Sequence, residues 1–312
     1  MDRTVRVWTV GRAEPALTIN RADLPTTSAA TPSGSQSPQN AGFGSGLSGG
    51  AGTSSESVAY TSGLAYAQFY HRDRLLLLSN GPEIVLCGYN LAATAADKAT
   101  AVTHGDAQPH LPKGRYRCAH RFRMEGSPAL TALAACNARV GSRVLCAGAR
   151  AIELHDLNGG GGDGGCILRI DAAHERAIHA LVVPDLPSVP VEDDDICISI
   201  SVDNCLKIWD VRDTASAQRS QCAQLWCDHT NRVHAVGAAL SPCGRFVACG
   251  SEDRQVYLYD LRKASGSGGT GLALAKMSGH SDAVLAVAFS PVHPQLATAG
   301  ADGRLLFFAD KA

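Results

Sequence analysis

The chain has 312 residues, of which 45% are apolar, 18% charged and 5% aromatic, and its formal net charge is −1. This balance excludes the strongly basic surface on which nucleic acids or acidic lipids bind, so we expect no nucleic-acid partner and no membrane insertion. The longest apolar runs, such as residues 283–289, have the length of a strand, and MDRTVRVWTV is unlike a secretion signal, which predicts an intracellular soluble protein, cytoplasmic or nuclear.

The N-terminal part alternates strand-like runs with low-complexity segments. Residues 1–19 contain DRTVRVW, in which Asp2 stands six positions before Trp8, and the apolar run EPALTI. Residues 20–57 are dominated by Gly and Ser, and we interpret them as an insertion because they hold too little apolar surface to offset the entropy of folding. Strand-like runs resume with LAYAQFY, LLLLSN and EIVLCGYNL, and a second linker covers residues 92–113.

Short apolar runs bounded by turn residues continue towards the C-terminus, whereas helical periodicity is nearly absent. A third unit, from YRCAHRF to AIELHDL, is degenerate because Ala149 occupies the position six residues before His155. The next unit contains an acidic, proline-containing loop, PDLPSVPVEDDD, over residues 184–195. The pattern predicts that all-β repeat units fill residues 58–312 apart from these linkers.

Three segments in the C-terminal part repeat one pattern. Each has a His, then alternating apolar residues, then an Asp six positions before an aromatic residue. The Asp–aromatic pairs are Asp203/Trp209, Asp253/Tyr259 and Asp302/Phe308. The aromatic residues lie 50 and 49 positions apart, close to the period of four-stranded repeats with short loop insertions. One such unit cannot bury its apolar faces alone, so the pattern predicts an array of packed repeats.

These segments resemble the WD-repeat family, whose four-stranded blades pack radially around a channel. The resemblance implies a buried tetrad in each regular blade: a His before the first strand, a Ser or Thr in the second, an Asp in the next turn and a Trp in the third, joined by hydrogen bonds that satisfy buried polar groups. The candidate tetrad residues are His174, Ser199, Asp203 and Trp209 in the fourth repeat, His229, Cys249, Asp253 and Tyr259 in the fifth, and His280, Thr298, Asp302 and Phe308 in the sixth.

The fold implied by this resemblance is an all-β WD-repeat β-propeller with about five full blades plus a partial N-terminal one. DRTVRVW looks like the third strand of a blade whose first two strands are missing, and no outer strand follows Phe308. In the family an N-terminal strand normally completes the last blade and removes exposed edges. The resemblance therefore predicts an incomplete ring, as expected for a fragment of a longer protein.

The residue types of a hydrolase triad also occur in the fourth repeat, as Ser199, His174 and Asp203. We do not expect an enzyme, because these residues recur in register with the repeat and nothing indicates an exposed nucleophile or an oxyanion hole. The Gly-rich NGGGGDGG contains no Lys, and the His residues follow the repeat spacing rather than that of metal ligands, so we predict no cofactor and no metal site.

The 11 cysteines include no C-x-x-C pair, and the two nearest in sequence are Cys222 and Cys227. Most lie in apolar, strand-like runs, as do Cys87, Cys146, Cys197 and Cys249. A thiol in such a run behaves as a small apolar side chain. The spacing predicts buried, reduced cysteines in a reducing compartment.

The resemblance implies a non-catalytic scaffold for protein–protein interaction, with contacts made by the loops beside each blade His. The sequence does not indicate which protein is bound. The candidate contact residues are Glu175, Arg176, Thr230, Arg232, Ser281 and Asp282.

A second interpretation follows from the repeat ends WDVR and YDLR, which contain Arg212 and Arg262. They resemble the box by which propellers that act as substrate receptors of cullin-type ubiquitin ligases dock on the ligase adaptor. A structural role is the alternative, in which nearby acids neutralise the two arginines. The acids closest in sequence are Asp210, Asp213 and Asp260, and we expect the structural role.

Overall fold

The structure is a computed structural model that describes residues 4–8, 15–20, 64–91, 116–137, 142–157, 165–184, 196–211, 222–263 and 270–309. Three predicted segments therefore lie outside the described residues: 20–57 except for Asn20, the whole of 92–113, and 184–195 except for Pro184. No helix in the described part is long and apolar enough to cross a membrane.

The described residues form antiparallel sheets that follow one another along the chain. The first sheet contains β1 (Thr4–Trp8) and β2 (Pro15–Asn20). The second contains β3 (Leu64–Tyr70), β4 (Leu75–Asn80), β5 (Glu83–Tyr89) and β6 (Tyr116–Arg123). The third contains β7 (Ala132–Ala135), β8 (Arg143–Gly148), β9 (Ala151–Asp156) and β10 (Gly165–Ile170).

Three more sheets complete the described part. The fourth contains β11 (Ile178–Val182), β12 (Ile196–Ser201), β13 (Leu206–Asp210) and β14 (Cys222–Trp226), with the short β18 (Thr270–Gly271) parallel to β14. The fifth contains β15 (Ala238–Leu240), β16 (Phe246–Gly250), β17 (Gln255–Asp260) and β19 (Ala275–Ser278), with a 3-10 turn at Leu261–Lys263. The sixth contains β20 (Val284–Phe289), β21 (Gln295–Gly300) and β22 (Leu305–Ala309).

Successive sheets pack face to face, and one apolar cluster fills each of the five spaces between them. The central strands are consequently buried on both faces. Leu76 and Leu78 of β4 pack towards the first sheet, whereas Leu77 between them packs towards the third. Since side chains alternate along a strand, the leucine run of β4 supplies apolar groups to two cores at once.

The arrangement is radial. The first strands of the second to sixth sheets, β3, β7, β11, β15 and β20, contact one another in succession. The all-β propeller predicted from the sequence is confirmed, with four sheets of at least four strands, a three-stranded sixth sheet and a two-stranded first sheet. Among the described residues no strand joins the sixth sheet to the first.

The sixth sheet differs from the central ones in its burial. Residues of β22 alternate between exposed and half-buried, whereas Cys197–Ser201 of β12 are buried without a break. In the described part the sixth sheet has a neighbouring sheet on one face only, so every second side chain of β22 faces solvent.

Candidate functional site

The fourth sheet contains a continuous chain of four hydrogen-bonded side chains. Trp209 Nε1 donates to Ser199 Oγ at 2.8 Å, and the Ser199 hydroxyl donates to His174 Nε2 at 2.7 Å. His174 Nδ1 in turn donates to Asp203 Oδ2 at 2.9 Å. These roles place the imidazole proton on Nδ1, since Nε2 acts as an acceptor. Ser199 is fully buried, so no substrate reaches its hydroxyl and the group fits a structural role better than a nucleophile.

The Asp of this chain also shapes the turn between β12 and β13. Asp203 Oδ1 accepts the backbone N–H of Cys205 at 3.0 Å, which closes an Asx turn, and Asn204 between them has a positive φ of 65°. Asp203 Oδ2 accepts a further backbone N–H from Glu175 at 3.0 Å. Burial raises the pKa of Asp203, but the hydrogen bonds from His174, Glu175 and Cys205 outweigh it and lower the pKa to about 2.

The sixth sheet has a shorter version of the same chain. Thr298 Oγ1 donates to His280 Nε2 at 2.9 Å, and His280 Nδ1 donates to Asp302 at 3.1 Å. The chain ends at Thr298, because Phe308 has no donor. The backbone N–H of Ser281 donates to Asp302 and is the main reason why the pKa of this carboxyl is well below its usual range. Desolvation of the carboxylate acts in the opposite direction but is outweighed.

The fifth sheet departs from the predicted arrangement. His229 Nδ1 is hydrogen-bonded to the Tyr259 hydroxyl at 3.2 Å, whereas Asp253 accepts the hydroxyl of Tyr257 at 2.5 Å. The Cys249 thiol donates to a neighbouring backbone carbonyl, so it does not bridge His229 to its sheet as Ser199 bridges His174. Tyr257, two residues before Tyr259 on the same face of β17, therefore binds the Asp253 carboxylate. The spacing had predicted that His229 would bind it.

The loops and turns that carry these histidines and aspartates lie at one end of the sheets, which we call the loop rim. It consists of the loops 174–177, 228–237 and 280–283 and the turns 201–205, 251–254 and 301–304. Backbone hydrogen bonds join neighbouring sheets along it: Ile178 N–H to Ala149 O at 2.8 Å, and Val284 N–H to Ser251 O at 2.9 Å. The Asn204 side chain accepts the Asn231 N–H at 2.7 Å and links the fourth sheet to the fifth. Together these hydrogen bonds link the third, fourth, fifth and sixth sheets at this end.

The candidate contact residues lie on the loop rim. Glu175, Arg176, Arg232, Ser281 and Asp282 are exposed, and Thr230 is half-buried. Several are held in place by their own hydrogen bonds, such as that from the Arg176 guanidinium to Val202 O at 3.1 Å. The structure therefore brings these residues to one end of the sheets, although they come from three separate loops.

Sequence reasoning missed the residue that fixes the loop between β14 and β15. Glu252 Oε1 accepts the backbone N–H groups of Arg232, Val233 and His234 at 2.9, 2.6 and 2.7 Å. Burial raises the pKa of Glu252, but these three donors outweigh it and hold the pKa below its usual range. Val233 at the tip of the loop is 78% exposed. The Glu252 carboxylate thus fixes a loop that exposes an apolar side chain to solvent. The only sequence signal for this role is the position of Glu252 directly before Asp253, the Asp of the repeat.

Of the two arginines in the WDVR and YDLR ends, the structure describes only Arg262. Arg212 lies outside the described residues. Arg262 is exposed in the 3-10 turn after β17, and its backbone N–H, not its guanidinium, donates to Asp260 at 3.0 Å. The Asp260 carboxylate forms an ion pair with Arg245 at 2.8 Å instead. The expectation that Asp260 neutralises Arg262 was wrong, because Arg245, which directly precedes the Phe246 that pairs with Asp260, reaches this carboxylate instead.

One buried cluster has the residue types of a metal site. Cys146, Glu153 and His155 of the third sheet bring their donor atoms within 4.8 Å of one another. Both carboxylate oxygens are already engaged, Oε2 with His155 at 3.0 Å and Oε1 with Arg169 at 2.5 Å. Burial, followed by the charge of Glu153, raises the pKa of Cys146 well above its usual range and keeps the thiol protonated. The arrangement fits an internally satisfied ion network better than a cation site.

At the end of the sheets opposite the loop rim, an open groove of about 580 Å³ lies between the fifth and sixth sheets. Its lining is mostly apolar and includes Phe246, Met277, Phe289 and Phe308. Val292 at its edge is 79% exposed. The groove contains no linked set of titratable side chains among the described residues, so it offers no arrangement for acid–base chemistry.

Comparison with known proteins agrees with this geometry. Residues 220–260 and 271–308 match the family described as WD40: WD domain, G-beta repeat. The first stretch covers β14 to β17, and the second covers β19 to β22. Residues 220–260 and 271–308 carry WD repeats. The matched stretches include His229, Asp253, His280 and Asp302 of the loop rim, whereas the first three sheets and strands β11 to β13 of the fourth sheet lie outside them.

Two curated relatives match short parts of the chain. Protein SUPPRESSOR OF PHYA-105 1 from Arabidopsis thaliana is 36% identical over 90 residues, which are 28% of this chain and 8% of that protein. The WD repeat-containing protein 26 homolog from Drosophila melanogaster is 29% identical over 97 residues, which are 31% of this chain and 14% of that protein. The chain thus spans less than a sixth of the length of either relative.

Proposed function

We propose that the protein is a non-catalytic scaffold that binds a protein partner through the loop rim. The observation that carries this proposal is the loop between β14 and β15, where Glu252 holds three backbone N–H groups and the Val233 side chain stays 78% exposed. An apolar side chain on a fixed loop costs little conformational entropy when a partner covers it.

Exposed charged residues lie on the same loop and on neighbouring loops of the rim. Arg232 and His234 flank Val233 on the same loop, and Glu175, Arg176 and Asp282 are exposed on the neighbouring loops. An apolar centre with a mixed polar rim is the arrangement found in specific protein–protein interfaces. The mixed signs of charge favour a protein partner over a nucleic acid or an acidic membrane.

The experiment is affinity capture with a matched pair of substitutions. Val233→Asp places a charge at the centre of the loop rim, whereas Val292→Asp places it on an equally exposed valine, 79% accessible, at the opposite end of the sheets. We expect the proteins retained by the wild-type chain to be lost with Val233→Asp and kept with Val292→Asp. Equal retention by the two variants, both with wild-type melting temperatures, would contradict the proposal.

A second candidate function is docking on the adaptor of a cullin-type ubiquitin ligase through Arg262. The observation that favours it is the exposed Arg262, whose guanidinium forms no ion pair among the described residues, since Arg245 occupies Asp260. The test is co-purification of the adaptor with wild type, Arg262→Ala and the control Arg254→Ala, an exposed arginine on the loop rim. Adaptor lost only with Arg262→Ala supports this function, and no adaptor with the wild-type chain contradicts it.

We also propose a specific kinship. Residues 229–309, and less sharply EIVLCGYNL and AIELHDLNGG, resemble the C-terminal repeats of WD repeat-containing protein 27. A repeat-by-repeat alignment in which the last two repeats pair better with other WD-repeat proteins would contradict this kinship.

A further inference from the structure

Two cysteines that are distant in sequence meet at the loop rim. Cys205 directly precedes β13 and Cys227 directly follows β14, and their Sγ atoms are 2.6 Å apart. Leu206 and Trp226 are partners in the β13–β14 ladder, so the two cysteines form the next pair in the same register. Directly opposed residues of antiparallel strands have Cα atoms about 4.5–5.5 Å apart, within the range that a disulfide spans.

The two thiols differ in exposure and acidity. Cys227 is exposed and Cys205 is half-buried. The hydrogen bond from the Cys205 thiol lowers the pKa of Cys227, whereas the same bond raises the pKa of Cys205. Cys197 and Cys249 in the strands behave differently, because burial raises the pKa of both. The solvent-facing member of the pair is therefore the one that favours the thiolate, the reactive form.

We propose that Cys205 and Cys227 form a reversible, peroxide-sensitive disulfide that fixes one loop of the rim. The prediction of buried, reduced cysteines does not extend to this pair. A disulfide of this kind is compatible with a reducing compartment, where such bonds are transient.

The chemistry needs a peroxide as the oxidant. The Cys227 thiolate attacks one peroxide oxygen, an S–O bond forms, the O–O bond breaks, and hydroxide leaves and is protonated to water. The Cys205 thiol then attacks the sulfenic Sγ of Cys227, the S–S bond forms, the S–O bond breaks, and a second water leaves with the thiol proton. Two thiols and one hydrogen peroxide give one disulfide and two waters, so the sulfurs lose the two electrons that the peroxide gains. A dithiol reverses the reaction by exchange.

The position of the pair gives the disulfide a structural consequence. The backbone N–H of Cys205 donates to Asp203 in the turn between β12 and β13, at 3.0 Å. Cys227 leads into loop 228–237, whose Asn231 N–H is held by the Asn204 side chain of that same turn at 2.7 Å. The reduced turn and loop are joined by hydrogen bonds, and oxidation adds a covalent bond between them. An effect on partner binding rests on the proposed function, but formation of the disulfide does not.

The test is peptide mapping of the full chain after titration with hydrogen peroxide. We expect a Cys205–Cys227 cross-linked peptide, located by fragmentation after cleavage at aspartates, that disappears on treatment with dithiothreitol. Cys222→Ser and Cys243→Ser are the controls. The first removes the cysteine nearest in sequence to Cys227, and the second removes an exposed thiol. Burial raises the pKa of Cys243, but hydrogen bonds, that from Ser241 foremost, outweigh it and lower the pKa. Both control variants should keep the cross-link.

Two variants separate the steps. Cys205→Ser should leave a sulfenic acid on Cys227 that dimedone traps, whereas Cys227→Ser should leave no dimedone adduct on Cys205. Absence of the wild-type cross-link at peroxide concentrations that oxidise Cys243 would overturn the proposal, and this measurement needs no variant to fold.

Hydrogen exchange tests the effect on the loop. Exchange of the backbone amides of residues 228–234 should slow on oxidation of the wild-type chain and stay unchanged in Cys227→Ser. Equal exchange in oxidised and reduced wild type would overturn the coupling between the disulfide and the loop. Neither readout involves a partner, so failure of the scaffold proposal in the capture experiment is distinguishable from failure of this one.

Discussion

The indole of Trp209 donates to the hydroxyl of Ser199 across neighbouring strands, with 2.8 Å between Nε1 and Oγ. This bond connects the core between the third and fourth sheets, where the Trp209 ring packs, to the loop rim, where the chain of donors ends at Asp203. In this series of hydrogen bonds Trp209 only donates and Asp203 only accepts, whereas Ser199 and His174 do both. No member is therefore left without a hydrogen-bond partner when the group is buried. The packing of the fourth sheet and the geometry of its rim loop are therefore coupled.

Replacement of Asp203 tests this coupling. Asp203→Ala removes the acceptor of the buried His174 and of two backbone N–H groups, and we expect a loss of about 1–3 kcal/mol in the free energy of unfolding. Asp203→Asn is the control, because its side-chain carbonyl still accepts from His174 and should retain part of that stability. Chemical denaturation at neutral pH measures both, and an Ala variant as stable as wild type would contradict the structural role.

The charge of Asp203 predicts a dependence on pH. Its pKa is about 2 in the folded chain, below the ordinary value of 3.8, so the unfolded chain takes up the proton first as the pH falls. The stabilisation is complete above about pH 4 and is lost between about pH 4 and 2. The difference in unfolding free energy between wild type and Asp203→Asn should therefore shrink as denaturation is repeated from pH 5 downwards. A difference that stays constant over this range would contradict the depressed pKa.

The sequence predicts the fold well, because the repeat spacing and the alternation of apolar residues act locally. His174, Ser199, Asp203 and Trp209 could be selected as a group, since the register of three adjacent strands brings them together. In the fifth sheet the same reasoning chooses the wrong partner for Asp253. Tyr257 and Tyr259 point to the same face of β17, and only their side-chain positions decide which hydroxyl reaches the carboxylate.

Contacts that depend on how neighbouring strands pair could not be read from the spacing of residues along the chain. Cys222 and Cys227 are the nearest cysteines in sequence, but they lie on one strand and its continuation, whereas Cys205 faces Cys227 from the neighbouring strand. The preference of Asp260 for Arg245 likewise follows from the β16–β17 hairpin, which places them side by side. Sequence proximity favoured Arg262, and the register of the hairpin decided otherwise.

His229 predicts a second pH effect, in a higher range. Burial first, and then the neighbouring His179, lowers its pKa from 6.5 to about 4, although acids nearby act in the opposite direction. Its Nε2 has no hydrogen-bond partner among the described residues. The unfolded chain therefore binds this proton first, and stability is lost as the pH falls from about 6.5 to 4. In His229→Gln the unfolding free energy should vary less over this window. His179, whose pKa burial also lowers, contributes to the slope that remains, and an unchanged slope in His229→Gln would contradict the assignment.

The edge of the sixth sheet predicts self-association. Within the described part of the chain β22 is paired with β21 alone, and its side chains Leu305 and Phe307 are 59% and 70% exposed. An apolar strand with an open edge can pair with the edge of a second molecule. We expect the wild-type chain to show a mass that rises with concentration in sedimentation velocity, and Phe307→Lys to shift it towards the monomer. Leu272→Lys, at a residue 80% exposed before β19 and away from this edge, is the control and should associate like wild type. A wild-type chain that stays monomeric at every concentration would show that the edge is protected in solution.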